Sequence, residues 1–373
     1  MTDVAVIGAG PAGVAVAVSL RDRGVRPLLI DRADQVGSAW RGRYDRLKLN
    51  TGRPFSHLPN RPYPKGTPMF PSRDDVVAHL DRHAREQGID LRLGTEVERV
   101  DRRRDGWRLS TSAGDIDARQ VVVANGNAHT PRVPQWPGAD GFTGAMLHSS
   151  AYRSPEPFWG KNVLVVGCGS SGMEIAHDLA STGAAKVWLA VRTPPNILPR
   201  SLPGGLPGDL LARPLFHAPV RIADAISRRA RHADLADLSE YGLPIPDEGL
   251  FSLLKRLDQV PAIVDIEVIN AVKDGSIEVT ATVESFDGDE VVLADRSRID
   301  AHAVVLATGY RRGLEPLAGH LGVLDANGKP VAQGHRPAAP GLRFLGYDAR
   351  PSLIGYMAKQ SKRMAKRIAN ELR

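Results

Sequence analysis

The fold of this chain is decided by Val6-Ile7-Gly8-Ala9-Gly10-Pro11-Ala12-Gly13. The apolar run from Val4 precedes this stretch and a helical pattern follows it, which is the strand–turn–helix context that makes G-x-G-x-x-G significant. The three glycines permit a tight turn, close approach of the backbone to a pyrophosphate, and close packing of the helix on the strand. The stretch therefore predicts a dinucleotide-binding loop whose contacts come from Gly8, Ala9, Gly10, Pro11, Ala12 and Gly13.

A second loop of the same kind lies in the middle of the chain. It reads Val165-Val166-Gly167-Cys168-Gly169-Ser170-Ser171-Gly172 and follows an apolar run that begins at Val163. One G-x-G-x-x-G alone is weak evidence, but two copies with the same flanking patterns are hard to obtain by chance. We therefore expect two dinucleotides, the second held by Gly167, Cys168, Gly169, Ser170, Ser171 and Gly172.

The strand after each loop ends in a charged residue, and the two charges are opposite. The strand Pro27-Leu28-Leu29-Ile30 ends at Asp31, whose carboxylate can accept hydrogen bonds from a ribose with free hydroxyls. The strand over residues 187–191 ends at Arg192, whose guanidinium can pair with a ribose phosphate. These residues predict FAD at the first loop and NADPH at the second, although Arg192 could also be a plain surface arginine.

Composition excludes several classes of protein. The single cysteine, Cys168, rules out an intrachain disulfide and the C-x-x-C pair that a disulfide reductase with two dinucleotide folds would need. We interpret Cys168 as a small residue that fills the second loop. The net charge of +7 comes from scattered basic residues without a nucleic-acid motif, so we expect no nucleic-acid partner. The sequence also shows no metal-binding cluster.

The sequence contains no targeting or membrane signal that we recognise. A strand begins at Val4, which leaves no room for a signal peptide. No apolar run approaches the roughly 20 residues that a membrane span requires. We therefore expect a soluble, cytoplasmic protein; the sequence does not indicate its oligomeric state.

An internal repeat indicates how the chain is divided. Val121-Val122-Val123-Ala124-Asn125-Gly126 is echoed by Val304-Val305-Leu306-Ala307-Thr308-Gly309, each an apolar strand that ends in a small-polar-Gly turn. We predict an α/β fold with two Rossmann-like domains, the NADP domain inserted into the FAD domain. The FAD domain is predicted over residues 1–157 and 303–373, and the NADP domain over 158–302. Residues 195–260 form either a lid over the substrate pocket or a surface insertion.

The segment between the two loops resembles a known family. Phe142-Thr143-Gly144-Ala145-Met146-Leu147-His148-Ser149-Ser150-Ala151-Tyr152-Arg153 fits the fingerprint F-x-G-x-x-x-H-x-x-x-[YF]-[KR] of the flavin-containing monooxygenases of class B. Leu306-Ala307-Thr308-Gly309-Tyr310 is similar to the A-T-G-Y segment of the same family. Further segments resemble the plant indole-3-pyruvate monooxygenases that make auxin: Tyr44 to Leu49, Leu147 to Ser150, Val165 to Ile175, and Ile197 to Arg200.

Two positions depart from this resemblance. Asn50 stands where the plant enzymes have histidine, as in broader members of the family, and Ser170 stands where the family usually has asparagine. Related Baeyer–Villiger enzymes carry tryptophan where this chain has Tyr152. The likeness therefore favours a general flavin monooxygenase, and Asn50 weakens the assignment of the plant substrate.

The resemblance implies an activity and a set of site residues. It implies that NADPH reduces FAD, that a flavin C4a-hydroperoxide transfers one oxygen atom to a small organic substrate, and that Asn50 hydrogen-bonds the peroxide or the nicotinamide ribose. It places Trp40 and Arg41 at the flavin, together with Arg32 and Val97, and it adds Thr308 and Gly309 to the cofactor-binding residues. Asn50 could instead cap a loop and Trp40 could be a core residue. His148 and Tyr152 are expected to position the cofactor.

The sequence leaves the substrate and two other functions open. The resemblance suggests oxidative decarboxylation of an aromatic 2-oxo acid such as indole-3-pyruvate, whose carboxylate would need a cation such as Arg53, Arg200 or Arg311. Asn50 favours nitrogen or sulfur nucleophiles instead. The alternative enzyme is an FAD-dependent NADPH reductase that passes electrons to a quinone or ferredoxin. The alternative without catalysis is a dinucleotide-binding module.

Overall fold

The computed structural model describes residues 1–234, 238–258 and 260–373. In chain order its strands are β1 (Thr2–Ile7), β2 (Pro27–Ile30), β3 (Asp90–Arg92), β4 (Val97–Arg103), β5 (Gly106–Thr111), β6 (Ile116–Val123), β7 (Thr130–Pro131), β8 (Ala145–His148), β9 (Asn162–Val166), β10 (Lys186–Ala190), β11 (Ile197–Pro199), β12 (Ser201–Leu202), β13 (Leu206–Pro207), β14 (Ala262–Val264), β15 (Glu278–Thr280), β16 (Val283–Asp287), β17 (Glu290–Leu293), β18 (Arg298–Asp300), β19 (Ala303–Leu306), β20 (Tyr310–Arg311) and β21 (Leu342–Phe344). Its helices are α1 (Pro11–Arg21), α2 (Ser38–Arg41), α3 (Arg73–Glu86), α4 (Ser170–Ser181), α5 (Asp209–His217), α6 (Val220–Asp234), α7 (Leu250–Leu257), α8 (Ile266–Lys273), α9 (Glu315–Ala318) and α10 (Leu353–Glu371).

The first sheet has the order β3-β2-β1-β6-β5-β4, and β21 also pairs with β6. Strands β3, β2, β1, β6 and β21 run parallel, and β4 and β5 continue from β6 as antiparallel strands. Residues 4–7 of β1 are buried on both faces, which explains their continuous apolar sequence. The second sheet is inserted in the chain between β6 and β21.

The second sheet has the order β15-β10-β9-β19-β8, and all its strands run parallel. Strands β8 and β19 flank β9 on one side, so residues 145–148 and 303–306 belong to this sheet. The predicted boundaries at 157 and 303 assigned these two strands to the first domain. The difference arises because β19 and β6 have the same kind of sequence, and only the pairing with β9 places β19.

Helix α1 lies between the first sheet and α10. Residues 12–20 of α1 are buried, including Val14, Ala17 and Val18, and they pack with Met364, Ala365 and Ile368 of α10. The hydroxyl groups of Ser19 and Ser361 are 3.0 Å apart within this buried contact. The C-terminal helix therefore completes the core around the first glycine loop.

We call the part of the chain around the first sheet the first unit and the part around the second sheet the second unit. In the segment over residues 195–260, helix α5 forms hydrogen bonds with the first unit. The carboxylate of Asp209 accepts hydrogen bonds from the backbone N–H of Gly52 at 3.3 Å and from the hydroxyl of Ser352 at 2.8 Å. The guanidinium of Arg213 lies 4.2 Å from the ring centre of Phe55. The predicted lid includes residues 235–237 and 259, which lie outside the described residues, and its function as a lid stays a prediction.

None of the helices in the described residues combines the length and the apolar character that a membrane crossing requires.

Candidate active site

In the first glycine loop, two glycines approach neighbouring backbone atoms so closely that a side chain would not fit. Gly8 has a φ of +104°, and a Cβ atom there would lie 2.6 Å from the backbone oxygen of Ala124, just beyond β6. A Cβ atom at Gly13 would lie 1.7 Å from the backbone oxygen of Gly8. These two glycines therefore let β1, β6 and α1 approach each other, as the motif predicts.

The middle glycine of the loop faces open space. A Cβ atom at Gly10 would meet no described atom within 4 Å, and Pro11 is the first residue of α1. The N-terminus of a helix presents free N–H groups and a partial positive charge, which suit a phosphate. The backbone N–H of Ala9 donates to the Asp31 carboxylate at 2.6 Å, and that of Ala33 donates to it at 2.9 Å. Asp31 is thus fixed at the edge of the loop.

A cleft of about 740 Å³ runs from this loop along the carboxyl ends of the first sheet. Gly8, Gly10, Pro11, Ala12 and Asp31 line it, whereas Ala9 and Gly13 lie behind it in the core. Other predicted residues that line it are Arg32, Trp40 and Val97. Helix α10 adds apolar lining through Leu353, Ile354 and Met357.

Arg41 points away from the cleft. Its Nε donates to the backbone oxygen of Val36 at 3.1 Å, and its guanidinium lies 3.9 Å from Asp81 of α3. Arg43, two residues later, lines the cleft and places its guanidinium 4.9 Å from the ring centre of Tyr310, whose hydroxyl it also bonds. Arg43 therefore occupies the position beside the cleft that the sequence assigned to Arg41.

The fingerprint histidine holds this tyrosine in place. His148 Nε2 is 3.0 Å from the backbone oxygen of Gly309, and its Nδ1 accepts from the backbone N–H of Ser150 at 3.1 Å. Its ring meets Tyr310 edge to face at 4.9 Å. Burial lowers the pKa of His148, so the neutral ring with hydrogen on Nε2 fits both bonds. This geometry suits a positioning role.

The second loop repeats the contacts of the first. Gly167 has a φ of +107°, and its Cβ atom would lie 2.6 Å from the backbone oxygen of Ala307, just beyond β19. A Cβ atom at Gly172 would lie 1.8 Å from the backbone oxygen of Gly167. Gly169 again faces open space, because a Cβ atom there would meet no described atom within 4 Å. Both loops are therefore built to the same plan.

The side chains of the second loop have different partners. Cys168 is buried with its Sγ 3.6 Å from the backbone oxygen of Thr193. Ser170 Oγ accepts from the backbone N–H of Ile263 at 2.9 Å. Ser171 lines the cleft of the first unit, so the second loop borders the same cleft as the first loop. Arg192 is exposed just after β10 and makes no ion pair with a described residue.

The A-T-G-Y segment joins the two units. Thr308 Oγ1 donates to the backbone oxygen of Arg132, and Gly309 has a φ of +83°. Neither residue is among those lining the first cleft, which Tyr310 reaches instead. Thr308 and Gly309 lie directly after Ala307, the residue whose oxygen meets Gly167. They are therefore next to the second loop.

Asn50 lies between the two units in a buried polar network. Its Oδ1 accepts from Arg200 Nε at 3.3 Å and from an Arg200 terminal nitrogen at 3.2 Å, and its Nδ2 is 3.5 Å from Ser170 Oγ. Arg200 also pairs with Asp265 at 2.6 Å and with Glu174. Its side chain is only 2% exposed. This network is more than the simple loop cap that the sequence offered as an alternative for Asn50.

Glu174 is the central acid of this network. Its carboxylate accepts from Tyr44 through one oxygen and from Arg200 through the other. Burial raises the pKa of Glu174 to about 7, although Arg200 opposes that shift. Burial, with the neighbouring Glu174 charge, raises the pKa of Tyr44 well above its usual value, so the phenol stays a donor. We therefore expect Glu174 to change its protonation state near neutral pH.

The residues present fit both dinucleotides. Open helix N-termini follow Gly10 and Gly169, where a pyrophosphate can approach the backbone. Asp31 offers an acceptor beside the first loop, and Arg192 offers an exposed cation beside the second. The fold and the two loops together are those of an oxidoreductase that binds two dinucleotides, one beside the parallel strands of each large sheet.

Comparison with known proteins agrees with this class. Residues 5–197 match the family described as "Pyridine nucleotide-disulphide oxidoreductase". Indole-3-pyruvate monooxygenase YUCCA1 of Oryza sativa subsp. japonica is 37% identical over 310 residues, which cover 82% of this chain and 76% of that protein. The probable indole-3-pyruvate monooxygenase YUCCA9 of Arabidopsis thaliana is 34% identical over 333 residues, covering 87% and 79%.

A solved structure shows the same fold. The flavin-containing monooxygenase from Stenotrophomonas maltophilia superposes with a TM-score of 0.74 at 22% identity, over 100% of this chain and 99% of its own. The chain belongs to the class B flavin-containing monooxygenases. It is a flavin-dependent NADPH monooxygenase that uses FAD and NADPH. The predictions of family, fold class, enzyme class and cofactors are confirmed, and the reductase and the module without catalysis are not favoured.

Several residues at the site were not predicted from the sequence. Arg43, Tyr44 and Tyr310 line the cleft, and so do residues 125–129 after β6. The signal for residues 125–129 was present, because ligands in such sheets bind beyond the carboxyl ends of the strands. The sequence carries no signal for Glu174 in α4 or for Asp265 just before α8, because single acidic residues are usually solvated.

The two open glycines provide a matched pair of variants. We expect Gly10→Ala to fold but to lose FAD, since the added methyl group meets no described protein atom and occupies the pyrophosphate side of the loop. Gly169→Ala is expected to keep FAD and to bind NADP⁺ more weakly. Flavin absorbance after desalting and NADP⁺ titration measure the two effects. Equal loss of FAD in both variants would contradict separate sites.

The buried thiol of Cys168 gives a second prediction. Burial raises its pKa to about 12, so the unreactive thiol form dominates at neutral pH. We expect an aromatic disulfide reagent to label the folded protein slowly and the guanidinium-unfolded protein completely. Fast labelling of the folded protein at pH 7 would show that the thiol is accessible and would reopen a redox role for it.

Proposed function

We propose that this monooxygenase acts on an aromatic 2-oxo acid and decarboxylates it oxidatively. The balanced reaction consumes the 2-oxo acid, O₂, NADPH and a proton, and it yields the acid shortened by one carbon, CO₂, NADP⁺ and water. The observation that carries the proposal is the 37% identity, over 82% of the chain, to a protein named indole-3-pyruvate monooxygenase. Small-molecule substrate and O₂ are the only partners the proposal needs.

In this proposal the protein supplies geometry and a dry site. When bound, FAD would supply the redox chemistry, namely acceptance of hydride from NADPH and activation of O₂. Trp40, Arg43 and Tyr310 line the cleft and limit where a flat ring system can lie. Ser171 brings the second loop to the same cleft, so the two cofactors would be held close together. Excluding water from this region suppresses the loss of oxidising equivalents as hydrogen peroxide.

The substrate carboxylate requires a cation, and Arg200 is not available for this role. Its guanidinium is 2% exposed and is bound by Glu174, Asp265 and Asn50. Arg311 is exposed on β20. Arg53 is half-buried three residues after Asn50, and one of its terminal nitrogens donates to the backbone oxygen of Thr67. We favour Arg53, because it is half-buried near Asn50 in the sequence and has no carboxylate partner among the described residues, whereas Arg311 is exposed.

Arg192 is our candidate for recognition of the NADPH 2′-phosphate. It follows β10, the strand next to β9, and β9 leads into the second loop. A ribose held by such a loop extends toward the end of the neighbouring strand. The exposed guanidinium makes no ion pair with a described residue, so it is free to bind a phosphate through two N–H groups.

Arg192→Ala tests this role. We expect the NADPH Michaelis constant to rise roughly ten- to a hundredfold, because a charge-assisted hydrogen bond is typically worth about 1.5–3 kcal/mol. The NADH constant should change little, since NADH has no 2′-phosphate. Arg103→Ala, an exposed arginine on β4, is the matched control. An equal effect on NADPH and NADH would assign Arg192 to the surface.

Substrate-stimulated NADPH consumption tests the proposed reaction. We expect phenylpyruvate or indole-3-pyruvate to yield the arylacetate in step with NADPH loss and with little peroxide. Arg53→Ala should raise the Michaelis constant of the 2-oxo acid roughly tenfold or more and leave that of an uncharged thioether unchanged. Arg311→Ala is the comparison variant. If 2-oxo acids give only peroxide while an amine or thioether is oxygenated, the substrate proposal is wrong.

A further inference from the structure

The network around Arg200 connects three parts of the molecule. Asn50 and Tyr44 come from the first unit, Glu174 lies in α4 two residues after Gly172, and Asp265 precedes α8. Burying a guanidinium is costly unless it is paired and its N–H groups are bonded. Here the bonds to Glu174, Asp265 and Asn50 meet this requirement.

We propose that Glu174 is a positioning residue that, through Arg200, fixes the carboxamide of Asn50 with its Nδ2 directed at the NADP-binding loop. This inference rests on the proposed role of the second loop in holding NADP⁺. It gives Glu174 and Arg200 a role in NADP⁺ binding, although neither residue contacts the substrate in the proposed reaction.

The orientation of the Asn50 amide follows from hydrogen-bond chemistry. A guanidinium has only donors, so the atom of Asn50 that faces Arg200 must be the oxygen. The amide nitrogen then faces Ser170 Oγ at 3.5 Å, in the first turn of α4. If Arg200 moved, the amide could rotate and present its oxygen to the loop. An amide oxygen beside phosphate or ribose oxygens would repel them, whereas N–H groups bind them.

Glu174 controls Arg200 because it takes one end of the guanidinium. Arg200 bonds Glu174 with the same terminal nitrogen that donates to Asn50 Oδ1. The other terminal nitrogen bonds Asp265, whose side chain is 37% exposed, compared with 12% for Glu174. The more buried carboxylate is screened less by water, so its charge matters more for holding Arg200 in place.

The pH dependence has a definite sign. The groups that face Glu174 are Tyr44, Arg200, Asp265 and Lys48, and burial raises the pKa of Glu174 to about 7. Above pH 7 the carboxylate is ionised and holds Arg200. Below pH 7 it is protonated and the charge pair is lost. NADP⁺ affinity should therefore fall as the pH is lowered through 7, beyond the change that the ligand's own phosphate causes.

The test is a double-mutant cycle on the FAD-loaded protein, in which changes in the flavin spectrum report NADP⁺ binding. Glu174→Gln keeps the size of the side chain and removes its charge. We expect Glu174→Gln and Asn50→Ala each to raise the Kd of NADP⁺ roughly three- to tenfold, the value of one hydrogen bond. The double variant should bind no more weakly than the weaker single variant, because both changes remove the same contact.

Asp178→Asn is the matched control on the same helix. Asp178 is buried and joins the units by accepting from Tyr152 at 2.9 Å and from Arg46 at 3.1 Å, without contact to Arg200. It should lower the melting temperature but should combine independently with Asn50→Ala in NADP⁺ binding. In the Asp178→Asn variant, NADP⁺ affinity should still depend on pH near 7. In the Glu174→Gln variant, this pH dependence should be lost.

Tyr44→Phe provides a second, milder variant in case Glu174→Gln is unstable. Loss of the Tyr44 hydroxyl removes a bond that lowers the pKa of Glu174, so the midpoint of the pH dependence should move upward. The proposal is overturned if Glu174→Gln does not change the Kd, if its effect multiplies with that of Asn50→Ala, or if Tyr44→Phe leaves the midpoint in place. Failure of the proposed reaction would appear differently, as missing arylacetate with unchanged NADP⁺ titrations.

Discussion

Close backbone approach at glycine is the constraint on which the rest of the structure depends. Gly8 contacts the backbone just after β6, and Gly167 contacts the backbone just after β19. In each loop the third glycine contacts the first. A methyl group at any of these four positions would overlap a backbone oxygen. Because the contacts bring strand, loop and helix together, they also leave Gly10 and Gly169 facing the space in which a phosphate can bind.

The second constraint is a buried cation at the junction of the two units. Arg200 cannot be exposed to water without breaking bonds to Glu174, Asp265 and Asn50, so these residues hold the units in one arrangement. The same arrangement brings Ser171 into the cleft of the first unit. The protein thus connects cofactor binding with the geometry of the junction, and a change in one is expected to affect the other.

The fold and the two loops could be predicted because their signals are local. Each loop is a run of eight residues, and Asp31 and Arg192 follow at the end of the next strand. Membership of β8 and β19 in the second sheet could not be predicted, because it depends on pairing with β9 and not on their own sequences. The sequence offers Arg200 only as one of three candidate cations for a substrate carboxylate. Its burial could not be predicted, because its partner Asp265 lies 65 residues away and a contact over such a separation has no sequence signal. Likewise, Arg41 is the last residue of the short helix α2, and Arg43 lies beyond that helix and lines the cleft. The sequence does not show where this helix ends.

The central claim is that one chain holds two dinucleotides on two separate loops at one junction. Native mass spectrometry of the wild-type protein tests it most directly, because each bound cofactor adds its own mass to the chain. We expect a species that carries one FAD, and a species that carries one FAD and one NADP⁺ after NADP⁺ is added. A chain that never carries both, or one in which NADP⁺ replaces FAD, would contradict it.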